Sequence, residues 1–67
     1  MSAPNLPEST IARANLLRRV NGVISDLQSA VSELRRTRGL AADEQIRRIN
    51  TTIKNYEDLR SSINRLR

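Results

Sequence analysis

The chain has no cysteine, no histidine, no phenylalanine and no tryptophan. Without cysteine no disulfide can staple a small fold, and without cysteine or histidine the usual tetrahedral zinc site has no ligands. Loss of histidine also removes the commonest base that activates a serine or threonine nucleophile. One tyrosine is the single aromatic residue, so the core must be aliphatic. Stacking platforms that hold unpaired nucleic-acid bases are missing for the same reason. Glycine and proline number two each, and both prolines fall within the first seven residues. No apolar run approaches the ~20 residues of a transmembrane helix. Met1 to Pro7 has no charged region followed by an apolar one, so no secretory signal is expected there. Residues 1–6 read as a flexible lead and residues 7–67 as one domain. The expected location is intracellular, in the cytoplasm.

What remains is a short, basic, aliphatic chain. Sixty-seven residues bury too little surface for comfortable independent stability. With disulfide and metal excluded, a partner chain is the expected remedy. The balance is 12 basic against 7 acidic residues, net +5, and every basic residue except Lys54 is arginine.

The apolar residues recur at helical spacing. Leu16, Val20, Val23, Leu27, Ala30 and Leu34 step by fours and threes, an a/d seam of a heptad repeat. Leu17, Ile24 and Val31 run beside it and widen the stripe to three positions per heptad, as in a bundle. Gly22 follows Asn21 without breaking phase, which reads as a soft spot or a close helix–helix approach. A second segment carries Ile46, Ile49, Ile53, Tyr56, Leu59, Ile63 and Leu66. The repeated step of three at Tyr56–Leu59 is a stammer.

Between the segments lies RTRGLAADEQ, Arg36 to Gln45. Gly39 is expected as the left-handed residue that ends the first helix, with Leu40 folding back on Leu34. Arg35, Arg36 and Arg38 complement the negative end of the first dipole, and Asp43 and Glu44 the positive start of the next. Folding at Gly39–Leu40 pairs residues whose numbers sum to about 80: Leu34 with Ile46, Val31 with Ile49, Leu27 with Ile53, Ile24 with Tyr56, Val20 with Leu59, Leu17 with Ile63. Apolar meets apolar at each level. The fold class is therefore all-α: an antiparallel helical hairpin, helices near 7–38 and 41–66, associating into a coiled-coil-like bundle.

A two-helix hairpin leaves an apolar strip wet, and Leu17, Ile24 and Val31 are expected to form it. The residues expected to carry association are Leu17, Val20, Ile24, Leu27, Val31, Ile49, Ile53 and Tyr56. The partner is a second copy, giving a homodimeric four-helix bundle, or another helical protein.

Catalytic constellations are lacking. The acidic pairs Asp43-Glu44 and Glu57-Asp58 are sequence neighbours that point to different helix faces, and no phosphate-cradling glycine loop exists. No enzyme, cofactor, metal or small-molecule ligand is expected. The function expected is a protein–protein interaction or assembly module, as scaffold, adaptor, small chaperone or structural subunit. The alternative is a nucleic-acid-binding bundle that meets phosphates through Arg35, Arg36, Arg38, Arg47 and Arg48. A membrane-surface helix is disfavoured by the missing Trp and Phe anchors.

Overall fold

The computed structural model describes the backbone of residues 5–66 and the side chains of residues 10–66. Helix α1 spans Asn5–Thr37 and α2 spans Leu40–Asn64. Residues 1–4 of the expected lead lie outside the described residues, whereas Asn5 and Leu6 already belong to α1. Pro7 fits in that first turn because its missing N–H would have no helical partner there.

The two helices lie antiparallel against each other. The polypeptide measures 59 × 15 × 10 Å with a radius of gyration of 16.4 Å. A compact domain of this length would have a radius of about 11 Å. One layer of two helices is the whole architecture among the described residues, with no third layer to shelter its flanks.

The link between the helices differs in detail from the sequence expectation. Arg38, not Gly39, takes the left-handed conformation, with φ 62°. Its N–H donates to the Leu34 carbonyl at 3.1 Å, the single bond of an αL helix end. Gly39 is the N-cap of α2 at φ 112°, ψ 167°, a region open essentially to glycine alone. Its carbonyl accepts the Asp43 N–H at 2.9 Å and starts α2. Because the cap moved by one residue, Leu40 does not fold back on Leu34. It is 88% exposed, and Ala42 is the buried residue of the first turn of α2.

The seam between the helices is two unbroken heptad rows. On α1 it runs Arg13, Leu17, Val20, Ile24, Leu27, Val31, Leu34, and on α2 Ala42, Ile46, Ile49, Ile53, Tyr56, Arg60, Ile63. Both step by fours and threes throughout. The stammer expected at Leu59 is absent, because Arg60 takes the seam position and Leu59 turns outward. Arg60 is half-buried and donates from Nη1 to Asn21 Oδ1 at 2.8 Å. An arginine stem can line an apolar seam while its guanidinium reaches the rim. Arg13 does the same at the open end, donating to the Leu66 carbonyl at 2.6 Å. These two bonds join residues summing to 81 and 79, which matches the register of about 80.

Gly22 is exposed, and a Cβ built there meets nothing within 4 Å. It therefore marks no close helix approach and is a soft spot only.

Candidate interaction surface

The eight residues expected to meet a partner lie together, but in the seam of the hairpin itself. Val20, Ile24, Val31 and Ile53 are buried, and Leu17, Leu27, Ile49 and Tyr56 pack half-buried against them. Ile24 and Val31 are each 5% exposed, so the strip expected at Leu17, Ile24 and Val31 is not a surface. The physical reason lies in α2. Its seam passes through Arg60 rather than Leu59, which turns the facing helix so that the 17/24/31 row points inward.

The row displaced by this rotation is the exposed one. Leu16 is 42% exposed, Val23 37%, Leu59 45% and Leu66 54%. Leu16, Val23 and Ala30 each precede a seam residue of α1, namely Leu17, Ile24 and Val31. Gln45, Thr52 and Leu59 likewise precede Ile46, Ile53 and Arg60. Helices running in opposite directions turn in opposite senses when viewed from one end. These two rows therefore border the same side of the seam. Leu66 follows just past the end of α2, at the open end of the hairpin.

The other side of the seam has opposite chemistry. Asn21, Gln28 and Arg35 follow seam residues of α1, and Asn50, Glu57 and Asn64 follow those of α2. A shallow cleft there is lined by Gln28, Ser32, Arg35 and Asn50 over Val31 and Ile53, and the Arg60–Asn21 bond crosses the same side. One flank is thus uncharged and apolar over its open-end half, the other hydrophilic. A hairpin meant to be wet on both flanks gains nothing from that asymmetry. Its accessible surface is 5530 Å², against about 4300 Å² for a compact monomer of this mass.

No charged residue stands in the apolar row itself, and Arg19, Asp26 and Glu33 border it on α1. Arg35, Arg36, Arg38, Arg47 and Arg48 gather at the turn end, all exposed. Among the described residues the one ion pair is Arg48–Glu44 at 3.5 Å, an exposed i,i+4 contact on α2. Residues four apart on one helix face readily make such a pair, and exposed pairs of this kind contribute little. No group of histidine, cysteine or carboxylate side chains among the described residues could hold a metal ion. No helix there is long and apolar enough to cross a membrane.

The signal for the apolar flank was present in the sequence as the seven-residue repeat Leu16, Val23, Ala30. Spacing on α1 alone fits that row to the seam as well as it fits Leu17, Ile24 and Val31, and the charge on Arg60 hides the matching row of α2. Comparison with protein-family models, with curated proteins and with solved structures gives no match.

Proposed function

We propose that the protein is a non-enzymatic interaction module that docks a helical protein surface on its apolar flank. One observation carries this reading: Leu16, Val23 and Leu59 stand exposed along one side of the seam while the opposite side is hydrophilic. Exposed apolar strips with polar borders mark interaction sites. The flank needs only an aliphatic helical face to cover it, so the role is assembly, as a subunit, adaptor or scaffold. Val23→Asp and Leu59→Asp test it, since both side chains lie outside the buried core. In size-exclusion chromatography of a native extract, the tagged chain should elute within an assembly larger than one hairpin. Each variant should elute as a free, helical hairpin. Elution of the unaltered chain as a lone hairpin would sink the reading.

A second reading rests on the turn end. Arg35, Arg36, Arg38 and Arg47 have no carboxylate within 4.0 Å among the described residues, so their guanidinium groups are available to phosphate. Retardation of duplex or hairpin RNA in a gel, lost on raising salt and lost in Arg36→Ala/Arg47→Ala, is the result this reading requires. Absence of any shift at low salt removes it.

A further inference from the structure

We propose that the occupant of the apolar flank is a second copy of this chain, laid antiparallel so that the turn of one hairpin meets the open end of the other. The inference rests on the docking role proposed above and specifies its partner.

Three features favour a copy over another helix. The first is area. Along the 25 residues of α2 the paired helices run about 37 Å side by side and are about 20 Å across, so one flank offers roughly 700 Å². A standard stable interface takes about 800 Å² from each partner. The flank is thus about as large as a symmetric dimer of such hairpins needs.

The second is charge. None of Leu16, Val23, Ala30, Gln45, Thr52 or Leu59 is ionised. A chain of net +5 can therefore meet its own copy on this side without burying a cation. Just outside the flank on α1, at seven-residue spacing, come Arg19, Asp26 and Glu33, all exposed. Antiparallel pairing places Arg19 of one copy beside Glu33 of the other, twice, with Asp26 near its own symmetry mate. The parallel arrangement, with turn beside turn, would set Glu33 beside Arg48 of the other copy. Pairs this exposed decide little between the two.

The third feature decides the direction. Side chains on the flank are large toward the open end, at Leu16, Val23 and Leu59. They are small or polar toward the turn, at Ala30, Thr52 and Gln45. A two-fold axis across the helices near Asp26 and Asn55 brings Val23 close to Ala30 and Leu59 close to Thr52. Large then faces small at both of these levels, and the two layers interdigitate at even thickness. Turn beside turn would instead set Val23 against Leu59 and leave Ala30 facing Thr52 across a gap. The row of sizes fits itself when reversed, which a foreign partner would not require.

The purified chain alone tests this. Light scattering should give twice the mass of one chain. Val23→Asp should halve it with helical circular dichroism retained, and Ala30→Arg serves as a second disruptor should Val23→Asp lose its fold. The chain has no cysteine, so introduced thiols are unique. A mixture of Val23→Cys and Ala30→Cys chains should form a mixed dimer with a short bismaleimide. A mixture of Val23→Cys and Leu59→Cys should not. A monomeric mass overturns the self-association while leaving a docking role in the native extract intact. Preferential Val23–Leu59 linkage overturns the antiparallel arrangement.

Discussion

Ile24→Asp is expected to abolish the helical circular dichroism of the chain, and Ile53→Asp to do the same. Both isoleucines are buried, at 5% and 8% exposure, near the middle of the seam. Each change removes about 2 kcal/mol of aliphatic burial. It also puts a carboxylate into an aliphatic seam, and the cost of taking that charge out of water is of comparable or greater size. A core of this size rarely supplies more than about 3–5 kcal/mol in total, so one substitution exceeds the margin. The contrast with Val23→Asp gives the comparison its force. Val23 is 37% exposed, so its aspartate can stay hydrated and the hairpin should keep its helices. Equal helicity in Ile24→Asp and the unaltered chain would show that the seam is not where the structure places it.

Gly39→Val is expected to lower the unfolding free energy by about 1–3 kcal/mol. The cause is backbone conformation alone. At φ 112°, ψ 167° a β-branched residue is essentially forbidden, yet a Cβ at Gly39 would touch nothing within 4 Å. No neighbour can therefore relax to relieve the cost. The chain must either strain the turn or straighten it, and straightening separates the two rows of the seam. Urea unfolding at fixed protein concentration measures the loss. Arg38→Gly is the control: φ 62° suits glycine at least as well as arginine, so no loss is expected there. An unchanged midpoint in Gly39→Val would mean that the turn is made in some other way.

These two outcomes also separate local from long-range information. The turn was readable because its signals are local: a glycine, cations before it, anions after it. Its fine geometry was not, because an αL end can be closed by Arg38 or by Gly39. The choice depends on the direction in which α2 must leave. The pairing sum near 80 was likewise readable, since apolar residues matched at each level. Its one faulty level was Val20 with Leu59, where the seam uses Arg60. The charged head concealed a stem that packs.

Two helices, a turn near Gly39 and their register were determined by the sequence itself, because heptad spacing and turn chemistry act over a few residues. Which of two adjacent apolar rows on α1 would face inward was decided only by the tertiary structure. Leu16/Val23/Ala30 and Leu17/Ile24/Val31 are about 100° apart on the helix, and both are apolar enough to be buried. Only packing against α2, with Arg60 completing the facing row, favours one and leaves the other to the outside.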